Sequence, residues 1–126
     1  MAYITNYNDV ETQEMLDGVT MRVVLSPDQG APHFNLRVFE VQPGKSTPFH
    51  DHWWEHEVFV LAGRGNLRTI ERETAIKSGN VILVPGGTTH QFINTGDEVL
   101  RFICLVPQKW LEGRAEAEKD KKESFC

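Results

Sequence analysis

A chain of 126 residues with 40% hydrophobic content is enough for one domain with a real core and too little for two. Its net charge of −5, without a basic cluster, argues against nucleic acid and anionic membrane surfaces as partners and leaves small molecules. No apolar run approaches a membrane span, and Met1 to Asn6 lacks a charged region followed by a hydrophobic one. The two cysteines, Cys104 and Cys126, are too few for a disulfide framework, so a cytoplasmic location is expected.

In chain order, residues 1–20 are polar and weakly patterned and form an N-terminal arm; the first strand is expected at Met21–Leu25. Ser26 to Pro32 is dense in turn formers and reads as a loop, after which alternation predicts a strand from Phe34 to Val41. Val58 to Leu61 reads as a strand entering a tight hairpin at Ala62 to Gly65, followed by strands over Asn66–Glu71 and Ala75–Lys77. Val81 to Val84 has the continuous apolar character of a buried strand and is stopped by Pro85. A last strand runs from about Glu98 to Val106, and residues 108–126 form a short charged tail, expected to be solvated and given no function. Many short strands with no long helical period describe an all-β domain over residues 21–107, a barrel or sandwich of the jelly-roll type.

Four of the five histidines fall in two places, His50, His52 and His56 in one stretch and His90 in another. On a strand the first three share a parity and one face. Several imidazoles converging on one point are hard to explain by packing, because each brings a polar nitrogen that needs a partner; neutral imidazole is a common ligand for first-row metals. His33 follows Pro32 outside this spacing and reads as structural.

Glycines and prolines frame the histidines. Gly44 is followed after five residues by His50-x-His52, after three more by His56 and after six more by Gly63. A second block runs Gly79, five residues, Pro85-x-Gly87, two residues, His90, three residues, Asn94. Both blocks resemble the two signature motifs of the cupin superfamily, the second at every defined position. The first departs once, with histidine in place of the usual carboxylate ligand. Glu57 competes for that slot, but six residues separate His56 from Gly63 and only five separate Glu57 from it, which assigns His56 as the ligand. The likeness covers about residues 34–106 and implies the cupin jelly-roll barrel.

The chain is most similar to small single-domain four-histidine cupins, and that resemblance implies one divalent metal per chain, held by His50, His52, His56 and His90. Manganese comes first, since such sites are known among these proteins; iron, nickel, copper and zinc stay open because imidazole alone does not select among them. Four neutral ligands leave the ion its full charge, and an octahedral ion keeps two positions for water, oxygen or substrate.

Strand parity adds Val58, Phe92, Phe102, Cys104 and Val106 as a substrate-pocket wall. Trp54 has the same parity but sits in a motif loop that can turn it outward. Arg37 lies on the strand face opposite Phe34, Leu36 and Val38, so it is either outside or inside the barrel; inside, it would clamp a carboxylate bound at the metal. Small cupins commonly dimerise, and the N-terminal arm would gain order by crossing onto a partner's sheet. The expected activity is that of a metal-dependent oxidoreductase, dioxygenase-like, acting on a small organic molecule. The alternatives are a Lewis-acid enzyme of the sugar isomerase or polyketide cyclase type, and a small-molecule sensor with a structural metal. No catalytic residue is assigned beyond the ligands.

Overall fold

The computed structural model describes residues 2–108. The charged tail expected from residue 108 onward therefore lies, apart from Gln108, outside the described residues. Strands β1 (Gln13–Leu16), β2 (Val19–Leu25), β3 (Phe34–Val41), β4 (His56–Ala62), β5 (Arg64–Thr69), β6 (Glu73–Lys77), β7 (Val81–Val84), β8 (His90–Ile93) and β9 (Leu100–Pro107) follow in chain order. They form a six-stranded sheet, β1-β2-β3-β9-β4-β7, and a three-stranded sheet, β6-β5-β8, antiparallel throughout. This is the expected jelly roll, and no helix among the described residues is long and apolar enough to cross a membrane.

Alternation writes the inner face of the large sheet. In β4 His56, Val58 and Val60 are buried while Glu57, Phe59 and Leu61 are exposed, and β9 buries Leu100, Phe102, Cys104 and Val106 on the same period. Register aligns these residues in rows: Val41 opposes Leu100, Phe39 opposes Phe102, and Arg37 opposes Cys104, which opposes Val58 in turn. Phe39 stacks on Phe102 at 5.5 Å, and Phe92 of the small sheet closes on Phe102 at 4.6 Å, so the aromatic core bridges both layers. Each such buried ring contributes about 1.5–3 kcal/mol over an exposed one.

Three expectations change. Val81–Val84, read as a buried strand, is an edge strand that buries only Val84 fully and leaves Val81 and Leu83 exposed, because its one open side and outer face have no covering layer among the described residues. The N-terminal arm is partly sheet: β1 pairs with β2 of its own chain, and β2 begins at Val19. The pairing escaped sequence reading because β1 buries none of its residues fully and so carries no apolar period. Ala62 to Gly65 is a corner, since β4 and β5 belong to different sheets. Gly63 makes that corner with φ of 85°, and a side chain there would meet the backbone of Val99 and Leu100.

Candidate metal centre

The histidines are assembled by backbone pairing between the two motif segments. His50 and His90 form an isolated antiparallel bridge, with His50 N–H donating to the His90 carbonyl at 3.1 Å and His90 N–H to the His50 carbonyl at 2.9 Å. Further along, Thr47 N–H donates to Phe92 C=O and Phe92 N–H to Thr47 Oγ1, both at 2.9 Å, and Asn94 N–H donates to Lys45 C=O at 2.9 Å. On the other side Gly87 N–H donates to His52 C=O at 2.6 Å. The segment from Lys45 to His52 is thus laid along β8 as a partial strand. The shared parity expected over residues 50–56 does not describe it: His52 sits in a loop and only His56 begins a strand.

Ring nitrogens of His50, His52 and His90 lie within 4.8 Å of one another, and all three residues are buried. His56 stands beside them, its ring centroid 5.0 Å from those of both His52 and His90, and is fully buried on the inner face of β4. The structure therefore brings three of the four expected ligands into one tight group and places the fourth against it. Glu57, the competing carboxylate, is exposed on the opposite face of β4.

Several contacts orient the rings. His90 Nδ1 lies 2.8 Å from the Thr88 carbonyl, which can only accept, so the proton sits on Nδ1 and the Nε2 lone pair is left for a metal. His56 Nδ1 meets Cys104 Sγ at 3.1 Å, and Trp54 stacks on His52 at 4.5 Å with 12° between planes. Burial, the Arg37 charge and the neighbouring imidazoles all push the His56 pKa well below the ordinary histidine range, so His56 is neutral, the form a metal ligand requires. A buried set of imidazole nitrogens, oriented from outside and with no carboxylate in the group among the described residues, fits a divalent first-row ion.

All of the expected wall residues are buried: Val58, Phe92, Phe102, Cys104 and Val106. Cys104 is fully buried, with its sulfur 3.1 Å from His56 Nδ1. Arg37 is inside the barrel, 4% exposed, with Nη2 3.3 Å from Cys104 Sγ and its guanidinium 5.2 Å from the centre of the Phe39 ring. Trp54 is buried rather than turned outward, and His33 is exposed against Phe34.

Three positions carry the site without having been singled out. Thr47 is 1% exposed and fastens the first motif to β8, Thr88 fixes the His90 tautomer, and Gly86 packs on the Trp53 carbonyl, where a β-carbon has no room. Gly86 lay inside the motif spacing; the two threonines act through backbone-directed bonds that leave no periodic signal. A cleft of about 390 Å³ is lined by Trp53, Trp54, Glu55, Glu57, Val106 and neighbouring residues, and its Trp54 is the ring that stacks on His52.

Residues 37–106 match the family model for the Cupin domain. The chain belongs to the cupin family. Among curated cupin relatives it is 37% identical over 71 residues to 1-methylthio-D-xylulose 5-phosphate methylsulfurylase of Rhodospirillum rubrum, covering 56% of this chain and 46% of that protein. The chain thus spans less than half the length of that relative. It is 32% identical over 92 residues to the oxalate-binding protein of Thermotoga maritima, covering 70% of this chain and 74% of the relative. Among solved structures, the polyketide cyclase RemF from Streptomyces resistomycificus superposes with a TM-score of 0.78 at 32% identity, over 85% of this cupin and 80% of that chain.

Proposed function

We propose that this cupin is a metal-dependent enzyme that activates an oxygen-bearing small organic substrate without net oxidation, in the manner of a polyketide cyclase. The convergence of His50, His52 and His90, with His56 against them, carries the reading. The similarity to RemF over most of both chains supports its non-redox form. The proposed ligand set is His50, His52, His56 and His90, with manganese the first candidate ion and iron, nickel, copper and zinc the others.

When bound, a divalent ion supplies Lewis acidity toward a carbonyl or hydroxyl oxygen. The protein's own groups do the rest. The Thr88 carbonyl accepts from His90 Nδ1 and so leaves the lone pair on Nε2, Trp54 fixes the plane of His52, and Phe92, Phe102 and Val58, all buried, make an apolar wall in the barrel beside the rings. Glu57 is exposed on the outer face of β4, so it is turned away from the role of general base.

A second reading, a dioxygenase-like oxidoreductase, is favoured by that same wall, because Phe92 and Phe102 suit oxygen and an apolar substrate. The two readings separate in one experiment. Protein purified with its native metal is given a panel of enolisable di- and polycarbonyl compounds under anaerobic conditions, beside oxygen-uptake measurements on the same panel. Anaerobic conversion supports the Lewis-acid reading; turnover that requires and consumes oxygen replaces it with the oxidative one.

We also infer a homodimer in the cytoplasm. Phe59, Val81 and Leu83 are 46%, 74% and 62% exposed, and Phe59 opposes Val81 in the ladder of β4 and edge strand β7, which forms an apolar patch suited to a second copy.

A further inference from the structure

The outer face of the large sheet carries one carboxylate in an otherwise apolar row. Glu57 of β4 opposes Leu83 of β7 and Leu105 of β9, and Leu105 opposes Leu36 of β3, so a single charge stands among leucines from three neighbouring strands. It is exposed, and no ion pair or side-chain hydrogen bond among the described residues reaches it.

The same residue lines the cleft of about 390 Å³, together with Phe34, Trp53, Trp54 and Leu105. Glu55 is the other charged residue on its wall, and no lysine, arginine or histidine among the described residues lines it. Trp53 and Trp54 meet edge to face, with ring centres 5.1 Å apart and planes at 86°, so two indole planes stand at right angles in its wall. Trp54 is 6% exposed, and its buried Nε1–H meets no acceptor among the described residues.

Each of these groups asks something of an occupant. A carboxylate beside apolar and aromatic walls favours a cation, and an indole face attracts one through its ring quadrupole. An ammonium carrying alkyl groups suits such walls better than a hydrated metal ion, because its carbon surface gains from burial while its charge stays near Glu57. The indole N–H needs an acceptor, which an oxygen on the occupant would supply. The volume lies within the range of about 300–1,000 Å³ typical of small-molecule sites.

We propose that this cleft is a second ligand site, which takes an organic ammonium ion bearing an oxygen acceptor, of the amino-alcohol class. Glu57 and the indole faces receive the charged head, and Trp54 Nε1–H donates to the oxygen. Glu57 faces outward from β4 whereas His56 faces inward, so the inference does not rest on the metal-site reading.

The test uses full-length protein as purified and three probes of one shape: choline, its uncharged isostere 3,3-dimethylbutan-1-ol, and propyltrimethylammonium, which keeps the charge and lacks the oxygen. Saturation-transfer NMR follows the methyl singlet of each. Choline should bind at millimolar concentration, about fivefold or more tighter than the uncharged isostere and tighter than propyltrimethylammonium. Glu57→Gln should weaken choline about three- to fivefold and leave the uncharged probe unchanged. Trp54→Phe, which keeps a ring and removes the N–H, should abolish the advantage of choline over propyltrimethylammonium. No transfer to choline, equal binding of choline and its uncharged isostere, or choline binding that ignores Glu57→Gln overturns the proposal. The wild-type comparison stands even where Trp54→Phe fails to fold, and choline no tighter than propyltrimethylammonium overturns the role of the N–H. Trp53 and Trp54 are two of the chain's three tryptophans, so choline should also shift the intrinsic fluorescence; emission unchanged at saturation would place the binding elsewhere and overturn the site.

Discussion

His50 and His90, forty residues apart in the chain, are joined as a mutual backbone pair, each N–H donating to the other's carbonyl at 3.1 and 2.9 Å. The ligand group is therefore built into the main chain, and losing an imidazole should cost metal more than fold. His90→Ala is expected to remove most bound metal while the protein stays folded. Glu57→Gln, on the exposed face of β4, should leave metal content unchanged. Elemental analysis beside circular dichroism checks both, and metal loss in Glu57→Gln with retention in His56→Ala would reverse the ligand assignment.

How far the sequence disclosed this site varied from residue to residue, for physical reasons. The motif glycines and prolines located the histidines because backbone corners have few solutions; Gly63, with φ of 85° and no room for a side chain, is such a case. Strand parity put Phe102, Cys104 and Val106 on one face, and β9 buries that face because it alternates without interruption. Parity failed between His50 and His56, where convergence comes from bonds to β8 across forty residues. The face of Arg37 was undecidable from its own strand, because Val38 is also buried, at 5%, on the opposite face. Only the register with Cys104 settles it.

His56 makes stability depend on pH. Desolvation first, then Arg37 and the other imidazoles, depress its folded-state pKa, whereas the unfolded chain titrates near about 6.5. Below that value the unfolded state takes a proton that the folded state refuses, so stability falls as pH falls. Well below 6.5 the slope from this one group approaches about 1.4 kcal/mol per pH unit, and above 6.5 it vanishes. Urea denaturation of metal-free protein at pH 7.5 and pH 5 should show the loss, and His56→Asn should flatten it. An unchanged slope in His56→Asn would place the titration elsewhere.

Asn94 explains the last position of the second motif. It is 1% exposed, donates through Nδ2 to the carbonyls of Val41 and Glu98, both at 2.8 Å, and accepts from Gly96 N–H at 2.8 Å. One amide thus closes the turn after β8 and ties it to the end of β3. Asn94→Ala should destabilise the fold by about 2–4 kcal/mol, because it strips the side-chain partners from these backbone groups. Asn94→Asp should be at least as damaging, since a carboxylate oxygen would face two carbonyls. Denaturant midpoints at constant slope check this, and a loss under about 1 kcal/mol for Asn94→Ala would show that water replaces the amide.

The outer face of β4 and β7 bears on assembly. Edge strand β7 leaves one side of its backbone without a strand partner among the described residues, and it carries Val81 and Leu83 outward beside Phe59. An open edge with exposed apolar side chains is a template for association, and a two-fold axis lets one such patch cover another. The N-terminal segment expected to cross onto a partner instead pairs with its own β2, so the proposed dimer is placed on the β4–β7 face. Light scattering at micromolar concentration should give about twice the chain mass of 14.4 kDa. Leu83→Glu, which places a charge in the patch and leaves the inner face untouched, should shift the protein to monomer with its metal retained. A wild-type mass near 14.4 kDa would refute the dimer, and a Leu83→Glu dimer would move the interface to another face.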